Sequence, residues 1–187
     1  MPTPRQQSFL ATLWLSQQQP VHTLAALAGK PVWVDKLGVP AVGPTLASTV
    51  RNDSAMLGCH AGATADAMLF YFRHTPEGYR LYVREPGEDF GKGVFADASG
   101  YLGVQEIGEH SPSGVDLRSP AGQSLSLVDL AEDTAPVTLA CNGAPISRTS
   151  RATQRYHYLW AGHAPAQVWW LKIVKRDVPW LNSPHEA

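Results

Sequence analysis

Hydrophobic and polar residues alternate most clearly from Met68 to Glu85. In the first half of this stretch Phe70 and Phe72 share one face of an extended chain, and the second half repeats the alternation through Leu81. Alternation with period two, rich in aromatic and β-branched residues, is typical of β-strands. The connection from His74 to Gly78 contains a proline and a glycine. The pattern therefore predicts an antiparallel β-hairpin.

Short alternating runs of the same kind recur along most of the chain and form three units of about 45 to 50 residues each. A leucine marks a corresponding strand in each unit, at Leu57, Leu102 and Leu159. The closing strand of one unit meets the opening strand of the next through a tight turn. The opening strands are marked by the alternating pairs Val32/Val34, Leu81/Val83 and Leu125/Leu127.

The two end strands of this repeat contain Val32 and Val168, and their pairing would close the sheet and remove its exposed edges. Six barrel strands capped by six others, over about Lys30 to Arg176, resemble the β-trefoil. The sequence Gln167-Val168-Trp169 is similar to the Gln-x-Trp motif of ricin-type lectin repeats, which the first two units lack. The resemblance implies an all-β fold, a trefoil-like closed barrel of three four-stranded units, and carbohydrate binding. The alternative fold is another all-β barrel or sandwich.

The segment that precedes the repeat predicts a helix. From Pro4 to Gln19, the apolar residues Phe9, Leu13 and Trp14 follow a helical spacing. A second, short helical turn is expected from Val21 to Ala28. The first helix either packs across the domain or presents its apolar face to a protein partner.

Length and composition indicate one domain of ordinary size, with 187 residues and a net charge of −1. We divide it into a short N-terminal α-helical extension, residues 1–29, and an all-β domain, residues 30–187. No concentrated basic stretch favours nucleic-acid binding. No apolar run is long enough to predict a membrane span, and no signal peptide is recognisable. We expect a cytoplasmic protein, or one exported without a cleaved signal.

Reactive residues form no recognised catalytic or metal-binding motif. Cys59 and Cys141 have neither CxxC nor zinc-site spacing, and the histidines lack an HExxH or HxH pattern. We therefore expect no metal and no cofactor. The two cysteines are small buried residues, a disulfide pair, or, as a third reading of function, the nucleophile of a cysteine-dependent hydrolase.

Aromatic and short polar residues provide the candidate ligand site. An exposed tryptophan or tyrosine can stack on a sugar ring, while aspartate or asparagine binds its hydroxyl groups. Asp53 and Asp97 precede the matching segments SAMLG and SGYLG. The predicted ligand-binding residues are Asp53, Asp97, Asn142, Tyr101, Trp160 and Trp169.

The preferred function is therefore a non-enzymatic binding module that recognises carbohydrate. The alternative is a protein-binding module, such as an inhibitor, an adaptor or a toxin component. Three arginines spaced by three and four residues would line one face of a helix and could meet an acidic partner. The predicted partner-binding residues are Phe9, Leu13, Trp14, Arg148, Arg151 and Arg155.

Overall fold

The computed structural model describes residues 3–16, 18–35, 50–150 and 156–179, and most of its regular structure is antiparallel β. In these residues the single α-helix is α1 (Leu24–Ala28), and short 3-10 turns lie at Arg5–Gln7 and Leu127–Asp129. The all-β prediction is thus confirmed. The strands are β1 (Phe9–Trp14), β2 (Val21–Thr23), β3 (Trp33–Asp35), β4 (Val50–Asn52), β5 (Leu57–Cys59), β6 (Phe70–Thr75), β7 (Gly78–Val83), β8 (Gly93–Ala96), β9 (Leu102–Gln105), β10 (Gly114–Arg118), β11 (Thr134–Cys141), β12 (Ala144–Ser150), β13 (His157–Ala161) and β14 (Val168–Lys175).

The hairpin predicted from the alternating pattern is present as β6 and β7. Phe72 pairs with Leu81, both are buried, and only two residues separate the strands. Gly78 has φ +115, and a Cβ placed there would lie 2.9 Å from the carbonyl oxygen of Val115. Both the backbone conformation and this close approach require glycine at the end of the turn.

Twelve strands form one antiparallel sheet, and β3 and β4 form a separate two-stranded sheet. Six of the twelve pair in a cycle: β1 with β6, β6 with β7, β7 with β10, β10 with β11, β11 with β14, and β14 with β1. The other six form the pairs β2–β5, β8–β9 and β12–β13. The first and last strands of the described chain are therefore neighbours.

The predicted trefoil-like closed barrel over residues 30–176 is wrong. Its closing pair does not form, because the strand next to Val32 belongs to the separate two-stranded sheet and Val168 pairs with Thr138. The expected opening strand of the third unit also fails, since Leu127 begins a 3-10 turn. The structure instead has a twelve-stranded antiparallel sheet that includes the N-terminal segment.

The predicted N-terminal helix is also wrong, because this segment forms a strand of the large sheet. Phe9, Ala11 and Leu13 are buried on one side of β1, and this strand pairs with β14 on one edge and β6 on the other. Pairing on both edges stabilises an extended chain more than the helical preference of one short segment does. The segment assigned to an N-terminal extension therefore supplies β1 and β2 to the sheet. Of the second predicted helical turn, Val21 to Ala28, only Leu24–Ala28 is helical, as α1, because Val21–Thr23 form β2. Gly29, with φ +65, caps the end of α1.

Two clusters of buried side chains hold these elements together. The larger one fills the interior of the sheet, where the rings of Phe9 and Phe72 stack with centroids 4.7 Å apart. The three leucines that mark corresponding strands of the predicted repeat line one small interior cavity. The smaller cluster joins α1 and β3 to the sheet and consists of Leu24, Leu27, Val32, Val34 and Tyr158.

Candidate ligand-binding groove

A groove of about 720 Å³ lies beside the smaller core cluster. Residues of β2 and α1, the β3–β4 hairpin, and the turn after β7 line it. Its polar and aromatic lining residues are His22, Thr23, Lys30, Trp33, Asn52, Ser54, Glu85, Glu88 and Asp89. The volume falls within the range of about 300 to 1,000 Å³ that is common for small-molecule sites.

Trp33 is the aromatic residue of this groove, and strand alternation explains its position. Val32 and Val34 are buried in the smaller core cluster, so the side chain between them points away from the core. Trp33 is 61% exposed, and its cross-strand partner is Asn52. The hairpin thus presents an indole and an amide from adjacent strands.

The polar groups of the groove include donors and acceptors. The Oδ1 of Asn52 accepts a hydrogen bond from the backbone N–H of Ser54 at 3.0 Å. This contact uses the amide oxygen and not the NH₂ group, which is a hydrogen-bond donor. The Oε2 of Glu85 accepts from the N–H of Leu69 at 3.2 Å, which holds this carboxylate in place. Asp89 is paired with Lys92 at 2.8 Å.

His22 contributes a neutral imidazole. Burial lowers its pKa, and the negative charges of Glu85 and Asp89 oppose this effect only in part. Its Nδ1 accepts a hydrogen bond from the backbone N–H of Thr23 at 2.8 Å. A neutral ring whose Nδ1 accepts carries its proton on Nε2. His22 therefore has a ring N–H donor.

Two of the predicted ligand residues are core contacts. The carboxylate of Asp53 is 1% exposed, pairs with Arg51, and accepts a hydrogen bond from the Tyr158 hydroxyl at 2.8 Å. Trp169 is fully buried, and its Nε1–H donates to the carbonyl of Ile146 at 3.3 Å. These contacts account for the burial of Asp53 and Trp169 without a bound ligand.

Three other predicted ligand residues lie close together, where the turn between β8 and β9 contacts β13. Asp97 is exposed, and its Oδ1 accepts hydrogen bonds from the N–H groups of Ser99 and Tyr101. Tyr101 forms a β-bridge with Trp160, whose Nε1–H donates to the Ser99 carbonyl at 2.8 Å. The sixth residue, Asn142, is exposed in the β11–β12 turn. The ligand role of these four residues stays a prediction.

The predicted partner-binding residues do not form one surface. Phe9 and Leu13 are buried in the core, so they cannot form an exposed docking helix. Trp14 is half-buried, with the Nζ of Lys172 4.1 Å from its ring centroid. Arg148 is exposed in β12. Arg151 and Arg155 lie outside the described residues.

The two cysteines lack the properties of a catalytic nucleophile. Both are free and buried. Burial raises the pKa of the Cys59 thiol to about 11, although the charge of Arg148 acts in the opposite direction. Burial also raises the pKa of Cys141. Because the thiolate is the reactive form, the structure favours the structural reading of these residues over the hydrolase reading.

We expect both thiols to resist modification in the folded protein. With a thiol reagent such as 5,5′-dithiobis(2-nitrobenzoic acid) at about pH 8, reaction should be slower than in the urea-unfolded protein by about a hundredfold or more, since burial withholds both access and the thiolate. The release of thionitrobenzoate measures both rates. Rapid labelling of one thiol in the native protein would contradict the assignment of both cysteines to the core.

Across residues 3–16, 18–35, 50–150 and 156–179, no group of three or more His, Cys, Asp or Glu side chains is arranged to hold a metal ion. The same residues contain no helix that is long and apolar enough to cross a membrane.

The alternation around Trp33 was the sequence feature that pointed to the groove, although Trp33 is not among the predicted ligand-binding residues. In Pro31-Val-Trp-Val34, alternation places the two valines on one face and Trp33 on the other. The acidic pair Glu88-Asp89 is, by sequence alone, typical of a solvated loop. Only the fold shows that this loop and Trp33 border the same groove.

Comparison with known proteins gives little further information. No family model and no curated protein matches the chain. A solved structure described as the crystal structure of the lysenin pore is similar, with 9% sequence identity and a TM-score of 0.46. The match covers 89% of this chain and 45% of the other, so this chain spans less than half of that protein's length. A likeness of this size assigns no function.

Proposed function

We propose that the protein is a non-enzymatic binding module and that its groove binds carbohydrate. The observation that carries this proposal is the position of Trp33, a 61% exposed indole at the groove. The groove also contains Asn52, Glu85 and Glu88. A large exposed aromatic side chain leaves apolar surface in contact with water. A ligand that stacks on the ring removes this surface from water, which favours binding.

The chemistry of a pyranose ring matches this arrangement. The C–H groups of a sugar form an apolar face that can stack on the indole of Trp33, while hydroxyl groups project from the ring edge. The carboxylates of Glu85 and Glu88 can accept hydrogen bonds from these hydroxyls, and the Asn52 amide can donate one. Because charge-assisted hydrogen bonds are stronger than neutral ones, the carboxylates provide orientation.

Replacing Trp33 with alanine should weaken sugar binding about tenfold or more, equivalent to about 1.4 kcal/mol, because the stacking surface is lost. The full-length protein is first screened on a glycan array, and the affinity of each selected sugar is then measured by isothermal titration calorimetry. Folding should be unaffected, since the Trp33 side chain is mostly exposed.

The matched control is Val174→Ala, which removes a side chain that is also 61% exposed but does not line the groove. This variant should bind sugar as the wild type does. Equal affinity of Trp33→Ala and wild type would contradict the proposed site. Failure of the wild-type protein to bind any glycan would contradict the function and favour the protein-binding alternative.

A further inference from the structure

A second cavity, of about 260 Å³, lies where the 3-10 turn Arg5–Gln7 packs against the end of β6. It shares no lining residue with the groove. Two arginines and a histidine contribute to its wall, together with two prolines. The full lining is Pro4, Arg5, Ser8, Arg73, His74, Thr75 and Pro76.

A short hydrogen-bonded chain joins the two sides of this cavity. The backbone N–H of His74 donates to the hydroxyl oxygen of Ser8 at 3.0 Å. The hydroxyl of Ser8 in turn donates to the carbonyl of Pro4 at 2.8 Å. Ser8 is only 2% exposed, so these bonds are shielded from water. The N-terminal turn is therefore held in a defined position relative to β6.

His74 lines the cavity and carries a buried polar atom in its ring. Its Nδ1 is buried and has no hydrogen-bond partner in the described part of the chain. The ring lies edge-on to Tyr79, with centroids 5.4 Å apart, and burial lowers its pKa. A buried polar atom without a partner is costly in a folded protein. Protein atoms cover Nδ1, so a ligand in the cavity does not reach it, and the His74 ring acts as a reporter at the cavity wall rather than as a donor.

The two charged residues that line the cavity are both arginines, Arg5 and Arg73. The Nε of Arg5 lies 3.8 Å from the carboxylate of Asp177, and both side chains are more than half exposed. Such an exposed pair is weak, so an anion can compete for Arg5. The carboxylate of Glu77, in the adjacent turn, is engaged with Arg80 at 3.5 Å.

We propose that this cavity binds a phosphate or sulfate group. The guanidinium groups of Arg5 and Arg73 supply the donors, since planar guanidinium groups match the geometry of oxyanions. The cavity is larger than one free oxyanion, and Pro4 and Pro76 provide apolar walls. An oxyanion attached to a small organic group therefore fills it better than the free ion.

The test is a side-chain NMR titration of the full-length protein, with separate additions of sodium sulfate and phenyl phosphate. The His74 ring signal is assigned by its absence in His74→Gln. It should shift in a saturable way with both ligands and at lower concentration with phenyl phosphate. Sodium chloride at matched ionic strength should not reproduce the shift.

Two arginine variants and one control make the test specific. Arg5→Gln and Arg73→Gln should each weaken binding about tenfold or more, whereas Arg148→Gln, an exposed arginine outside the cavity, should bind as the wild type does. Arg5 is exposed, so Arg5→Gln is expected to fold. If Arg73→Gln does not fold, the affinity of Arg5→Gln alone decides the test. Trp33→Ala should not change the titration, which separates this site from the groove.

A shift that does not saturate, or one that sodium chloride reproduces, would overturn the proposal. Unchanged affinity in a folded Arg5→Gln variant would also overturn it. A saturable shift that is lost with Arg5→Gln and retained with Arg148→Gln supports it.

Discussion

Replacing Trp169 with alanine is expected to lower the free energy of unfolding by about 3 to 5 kcal/mol. The side chain is fully buried within the main core cluster. Its removal leaves a cavity that the surrounding strands can fill only in part, because β14 is paired on both edges with β1 and β11. It also leaves the Ile146 carbonyl without its indole donor. Equilibrium urea unfolding, followed by circular dichroism, measures the loss.

The adjacent residue provides the control for this prediction. Trp170 lies on the other face of β14 and is only partly buried. Trp170→Ala should therefore cost clearly less than Trp169→Ala, although the chemical change is identical. If the two variants were destabilised equally, the assignment of the two faces of β14 would be wrong.

The second large effect is expected from Asp53→Asn, which should lower the free energy of unfolding by about 2 kcal/mol. The substitution keeps the shape of the side chain but removes its charge. The carboxylate accepts hydrogen bonds from Arg51 and from the Tyr158 hydroxyl, and the amide places an N–H group against one of these donors. Arg51 is 40% exposed and can regain water, which limits the loss. Thermal and urea unfolding both report it.

Asp97→Asn is the matched control, because Asp97 holds the corresponding position in the segment before β9. Its Oδ1 accepts two backbone N–H groups at 2.8 Å and 3.0 Å, and an amide oxygen can accept them equally well. We expect a change within about 0.5 kcal/mol. If Asp97→Asn lowered the free energy of unfolding as much as Asp53→Asn does, the burial of the Asp53 charge would not be the cause of the larger effect.

The strands with strict alternation could be predicted from the sequence. The β6–β7 hairpin was found because large apolar residues such as Phe70 and Phe72 alternate with others around a Pro/Gly turn. Leu57, Leu102 and Leu159, which mark corresponding strands of the predicted repeat, are buried and line one interior cavity. In these places local pattern and tertiary packing favour the same structure.

The N-terminal strand could not be recognised in this way. In β1 the buried face consists of Phe9, Ala11 and Leu13, and the other face carries the apolar residues Leu10 and Trp14. Because both faces carry apolar residues and the buried face has a small alanine at its centre, the period-two alternation of a strand is not evident. The apolar residues then match the spacing of an amphipathic helix. What makes this segment a strand is its pairing with β6 and β14, which are distant in sequence.

The candidate site was missed for a related reason. Asp53 and Asp97 occupy matching positions in the sequence, yet only Asp53 is buried. The difference arises from Tyr158 and Arg51, which approach Asp53 in space. The groove likewise combines Trp33 with a turn that follows β7, and their proximity depends on the packing of the β3–β4 hairpin through Val32 and Val34.

The pairing of β1 with β14 has a consequence for synthesis on the ribosome. While the nascent chain grows, β1 can already pair with β6, but its other edge has no partner until Val168–Lys175 emerges. Until then β11 also lacks its neighbour β14. The slowest step of folding is therefore expected to follow translation of the final strand, because the contact that completes the sheet joins segments far apart in sequence. A translation pause before Val168 would leave two strand edges open to other chains, and release of a truncated product would favour aggregation over folding.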